Sequence, residues 1–138
     1  MTLHLALLAL SLLAPPQERA AECGSWETCR QLALQAAEQQ DFEAFHDLAW
    51  RAMGKGPAKN PDLMRMLARA QSLSGRPLDA LVMLDRLLAL GVVTDAATND
   101  DFRRVRALGG WADFARRVEA LNAPPIASER AATPPERP

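Results

Sequence analysis

His46 and Asp47 lie side by side in the stretch FEAFHDLAWRAM, and His46 is the only histidine outside the N-terminal apolar segment. An imidazole beside a carboxylate is raw material for general-base chemistry, which also needs a pocket and a substrate proton within hydrogen-bond reach. No other catalytic group is spaced to complete that arrangement, so His46 reads as a structural, partly buried side chain. Cys29 with His46 would make a thiol and base pair. A disulfide to Cys23, or a buried half-apolar thiol, accounts for Cys29 more simply. Two cysteines without neighbouring histidines fall short of the four ligands of structural zinc. Asp100 and Asp101, with Arg103 and Arg104, could hold a phosphate or a metal, yet they flank one short helix start where acids already complement the helix dipole. The sequence therefore shows no catalytic, cofactor or metal constellation, and the expectation is a non-enzymatic protein. Trp26 and Trp111 read as core anchors at the two ends of the fold. Trp50 falls outside the apolar stripe of its helix and reads equally as a structural residue or a ligand platform.

The elements that position these residues are helices. The clearest pair lies between Asn60 and Leu90, where Asn60 supplies a side-chain N-cap and Pro61 takes the first helical position, which has no intrahelical N–H bond to lose. Gly75 ends that helix and Pro77 opens the next, with Ala80, Leu81, Leu84, Leu87 and Leu88 at three- and four-residue steps on one face. Upstream, Ser25 caps a helix with the stripe Trp26, Cys29, Leu32, Ala33, Ala36 and Ala37, closed by a turn from Glu38 to Gln40. Asp41 caps another, with Phe42, Phe45, Leu48, Ala49, Ala52 and Met53 at core spacing and Gly54 as its stop; Gly54 to Lys59 is a loop. Beyond Gly91, Thr98 and Asp101 form an acidic variant of a capping box before a short helix marked by Phe102, Val105 and Leu108. Gly109 and Gly110 break it, and Trp111, Phe114, Ala115, Val118 and Leu121 mark the last helix.

A chain of 138 residues, 49% hydrophobic and 24% charged, holds one modest domain. Its net charge of -1 gives no overall attraction for nucleic acid or anionic lipid. From Leu3 run twelve mostly apolar residues, short of the roughly 20 that a bilayer span requires. Residues 1–21 are read as a signal peptide cleaved near Ala21, although no Lys or Arg precedes the apolar run and no small residue stands three positions before the cut. That reading makes the protein periplasmic or extracellular, without a stable membrane span after cleavage, and puts Cys23 and Cys29 in an oxidising compartment where they could pair. Residues 22–122 form the helical domain. Residues 123–138 hold five prolines with no apolar period and are expected to be a disordered tail.

The two helical pairs match at an offset of 35 residues: Leu32 with Leu67, Ala33 with Ala68, Phe45 with Ala80, Ala49 with Leu84 and Ala52 with Leu87. In that period, and in Ala68, Gly75, Ala80 and Leu84, the chain resembles the tetratricopeptide repeat family. Gln71 and Leu87 stand where that family usually carries an aromatic and an alanine, and Gln40 takes the place of the turn glycine. The resemblance implies an all-α, tetratricopeptide-like stack of antiparallel helical hairpins, about six helices, with a degenerate C-terminal cap. It also implies that the first helix of each pair lines a groove. Arg30 and Leu34, then Arg65, Arg69 and Ser72, occupy the matching positions. Three planar guanidinium forks there would suit the acidic side chain or C-terminal carboxylate of a protein or peptide ligand. The alternative for the same residues is a solvated face laced with salt bridges.

Asp95, Asp100, Asp101, Phe102, Val105, Arg106, Trp111 and Phe114 carry a second resemblance. Their order is similar to that of the helical region preceding the six-bladed propeller in some exported bacterial proteins related to regucalcin and gluconolactonases. No propeller follows here, so no lactonase activity comes with the likeness. The sequence as a whole reads as an exported, non-enzymatic helical-repeat scaffold of the bacterial envelope that binds a protein or peptide. The alternative is an accessory module of a propeller-type hydrolase whose catalytic domain is absent from this chain.

Overall fold

The computed structural model describes residues 23–124, so the proposed signal peptide and all but the first two residues of the Pro-rich tail lie outside the described residues. Among the described residues the chain is all-helical: α1 (Trp26–Glu38), α2 (Phe42–Lys55), α3 (Pro61–Leu73), α4 (Pro77–Ala89), a 3-10 turn (Asp100–Phe102) running into the one-turn α5 (Arg103–Arg106), and α6 (Trp111–Asn122). Successive helices pack as hairpins, α1 on α2 and α3 on α4, joined by α2 on α3. The C-terminal cap closes this stack, with the 3-10 turn against α3 and both α5 and α6 against α4.

Local chemistry sets the helix starts. Ser25 Oγ accepts from the Thr28 N–H at 3.2 Å, Asp41 Oδ1 from Ala44 at 3.1 Å, and Asn60 Oδ1 from Asp62 at 2.9 Å and Leu63 at 3.3 Å. Each bond satisfies donors that a first helical turn leaves without partners. A disulfide joins Cys23 to Cys29, with Cα atoms 4.9 Å apart, and ties the segment before the Ser25 cap to the first turn of α1.

Three helices end in the same way. After α3, the Arg76 N–H returns to the Gln71 carbonyl at 2.8 Å and Gly75 sits at φ +83°; after α4, Val92 returns to Leu87 at 2.9 Å around Gly91 at φ +75°. After α1, Asp41 returns to Ala36 at 2.9 Å, but the left-handed residue is Gln40 at φ +59°. This closure wants glycine, because a Cβ crowds the backbone in the left-handed region. Gln40→Gly is therefore expected to stabilise the protein by about 1 kcal/mol, read as a raised urea midpoint with an unchanged slope.

Alanines at Ala33, Ala49, Ala52, Ala68 and Ala80 are fully buried and let neighbouring helices approach, while Phe45, Leu63, Leu67, Leu84, Leu87 and Val105 fill the space between them. Met83 joins the core face of α4, and Leu81 and Leu88 pack at its edge.

Three local expectations are corrected. Gly54 does not stop α2, because the Gly56 N–H still reaches the Ala52 carbonyl at 2.9 Å and carries the helical ladder past it. Thr98 is not the cap of the next helix. Its hydroxyl donates to the Asp95 carbonyl at 3.3 Å, and Asn99 Oδ1 instead accepts from the Asp101 N–H at 2.9 Å. Leu121 is 49% exposed because the last turn of α6 runs beyond the core, which holds Phe114 with Trp111 and Val118 beside it.

Candidate functional site

On the first-helix face, α1 and α3 bring Arg30, Leu34, Arg65 and Arg69 around one cavity of about 280 Å³. Phe45, Met66 and Leu84 add apolar lining, and Asp62, Asp95 and Asn99 add polar lining. The three arginines do different things. Arg69 donates through Nε to the Asp101 carboxylate and lies 5.6 Å from the centroid of the Phe45 ring. It therefore cross-links α2, α3 and the 3-10 turn. Arg65 pairs with Asp62 at 3.0 Å, both side chains well exposed, which is worth no more than about 1 kcal/mol. Such a pair yields to a better acidic partner. Arg30 is exposed and makes no ion pair among the described residues.

Ser72 is 1% exposed and does not line the cavity; its hydroxyl donates to the Asp101 carbonyl. Together with Arg69 it anchors the cap to α3. Arg106 anchors the same region from within, donating to the carbonyls of Ala96 at 2.8 Å and Asn99 at 2.6 Å, and so holds the loop that borders the cavity.

No family model, curated protein or solved structure matches this chain. The residues must therefore speak for themselves.

The second-helix face carries a larger cavity, about 540 Å³, that shares no lining residue with the first. α2 contributes His46, Asp47, Trp50 and Arg51; Arg76 and α4 contribute the other wall through Asp79, Val82, Met83 and Arg86; Gln71 of α3 lies between. Sequence reasoning missed this site, although two of its signals were present: Trp50 off its apolar stripe, and Gln71 where the resembled family carries an aromatic. His46 is mostly buried, with Nδ1 3.3 Å from Asp47 Oδ1. No Ser, Thr, Cys, Lys or Tyr side chain stands among the residues that line this cavity. Among the described residues no three His, Cys, Asp or Glu side chains gather to hold a metal ion, and no helix is long and apolar enough to cross a membrane.

At the edge of this face, Arg76 grips Glu43 with both terminal nitrogens, at 3.2 and 2.9 Å, linking the start of α4 to α2. The hydrogen bond from Arg76 holds the Glu43 carboxyl below its ordinary pKa, and the same bond raises that of Arg76. A carboxylate whose pKa falls on folding contributes stability above its unfolded pKa and loses it as pH drops through the folded one. Glu43→Gln is expected to flatten the acid limb of a urea-midpoint-against-pH curve. The effect will be small, since Glu43 is 66% exposed and solvent screens the pair.

Proposed function

We propose that this protein is a non-enzymatic scaffold that binds a protein or peptide, and that its first-helix face recognises acidic groups. The observation that carries this reading is the convergence of Arg30, Leu34 and Arg65 on one cavity with an apolar lining. Two exposed guanidinium groups beside Leu34, Met66 and Phe45 offer charge-assisted donors to a carboxylate and apolar contact to the stem that bears it. Arg69 holds the frame of this groove, so gripping falls to Arg30 and Arg65. Export to the bacterial envelope is part of the proposal, supported by the Cys23–Cys29 disulfide, which persists in oxidising compartments.

The test is fluorescence anisotropy with labelled Glu/Gly peptides and matched Gln/Gly peptides on the full chain. The acidic peptide is expected to bind, to weaken as salt is raised, and to lose about tenfold or more in affinity when Arg30 and Arg65 are both alanine. Equal binding of the Gln/Gly peptide, or unchanged affinity in the double variant, would sink the reading.

A further inference from the structure

Leu78 at 67%, Trp50 at 57% and Val82 at 50% exposure hold large apolar surface in water on the second-helix face. Single apolar residues on a surface call for no explanation, but these are grouped: Leu78 and Val82 stand one turn apart on α4, and Trp50 of α2 lines the same cavity as Val82. Two charges belong to the same stripe of α4. Asp79 and Arg86 are both exposed and flank Val82, and neither makes an ion pair among the described residues. The neighbouring charges are already engaged: Asp47 by His46, Arg76 by Glu43 and Asp85 by Arg117, while Arg51 is not free either. An acid in the first turn and a base in the last complement the helix dipole, which accounts for the two charges but not for the apolar surface between them.

We propose that α4 is a self-association surface, pairing antiparallel with α4 of a second copy about a two-fold axis between Val82 and Met83. Seven residues advance a helix by about 10.5 Å and return it to nearly the same side, so Asp79 and Arg86 face the same way at equal distances from that axis. The two-fold operation therefore sets Asp79 of each copy opposite Arg86 of the other, with Val82 against the partner's Val82 between them. A parallel pairing instead sets Asp79 on Asp79 and Arg86 on Arg86, where like charges oppose each other. Leu78 and Trp50 border the contact. An occupant of this stripe must carry its charges in the reverse order, and the stripe read backwards is its own complement. A polyanion such as nucleic acid or an anionic membrane would meet Asp47 and Asp79 in the same lining. The first-helix cavity shares no lining residue with this face, so the proposal stands apart from the reading of that groove.

The experiment is sedimentation equilibrium of the full chain from about 10 μM to about 1 mM, beside Asp79→Arg, Arg86→Asp and the double variant Asp79→Arg/Arg86→Asp. The unaltered chain is expected to dimerise reversibly with a Kd of about 100 μM, as suits a small interface. Each single variant puts like charges opposite each other at both ends of the contact and is expected to weaken the dimer by about tenfold or more. The double variant exchanges the charges and is expected to restore it. An equimolar mixture of the two single variants is expected to form a heterodimer, because every charge then faces its opposite, and this result also shows that both are folded. A monomer throughout the range, or a mixture and a double variant that stay monomeric, would overturn the proposal. A single variant that associates as the unaltered chain does would put the contact on another surface and equally overturn it. So would a monomer that binds phosphatidylglycerol vesicles and loses that binding in Val82→Asp, which would give the face to a membrane.

Discussion

Phe45→Ala is expected to destabilise the protein by about 3–5 kcal/mol, which at about 4–8 °C per kcal/mol lowers the Tm by more than 10 °C. Phe45 is fully buried in α2 and lines the first-helix cavity, where it lies beneath the Arg69 guanidinium. Removing the ring forfeits its burial, leaves a void at the junction of the two hairpins, and takes away a cation–π contact worth about 0.5–1 kcal/mol. It also frees Arg69, whose bond to Asp101 holds the cap. Phe45→Leu keeps most of the volume and is expected to cost less than about 1.5 kcal/mol. Urea unfolding of the two variants checks the ranking. Equal losses would mean that the ring does not fill the junction.

Gly56→Ala is the second large effect, with an expected loss of about 1–3 kcal/mol from overpacking. A Cβ at Gly56 would run into Leu63 Cδ1 and stand 2.9 Å from the Ala52 carbonyl oxygen. Neither neighbour can give way. Leu63 is fully buried, and the Ala52 carbonyl is held by the Gly56 N–H itself. The cause is steric, since Gly56 has an ordinary φ of −85°. Gly54 is the contrast: it lies inside α2 with nothing within 4 Å of where its Cβ would be. Gly54→Ala is expected to stabilise by about 0.5–1 kcal/mol through helix propensity alone. Opposite shifts in Tm for two glycines two residues apart check both arguments at once.

The pair of glycines also shows what could be read from the sequence. Either could end a helix, and only the continuing bond from Gly56 to Ala52 decides that α2 runs past Gly54. By contrast, Ser25, Asp41 and Asn60 were legible as caps, because capping is decided within three residues. The 35-residue offset was legible because it repeats the same close approach at Ala33 and Ala68, both fully buried. It extends to the helix endings, where Gln40, standing in place of the turn glycine, takes the same left-handed conformation as Gly75.

The site was legible only in part. The resemblance to tetratricopeptide repeats put Arg30, Leu34, Arg65 and Arg69 along one groove, and one cavity gathers all four. That Arg69 is committed to an aspartate 32 residues away, and that Ser72 is buried beneath the same turn, depend on how the cap docks. Local charge patterns assign Asp101 to a helix start instead. The second-helix cavity needs residues of α2, α3 and α4 brought together, and no single periodicity encodes that meeting.

The central claim is that the first-helix face grips acidic groups through Arg30 and Arg65. Its most direct test is NMR mapping of a Glu/Gly peptide without apolar residues onto the full chain, following the arginine side-chain N–H signals. The expected result is movement of the Arg30 and Arg65 signals, reversed by salt, with the Gln71 side-chain amide unmoved. Silence at both arginines while the peptide binds elsewhere would contradict the account.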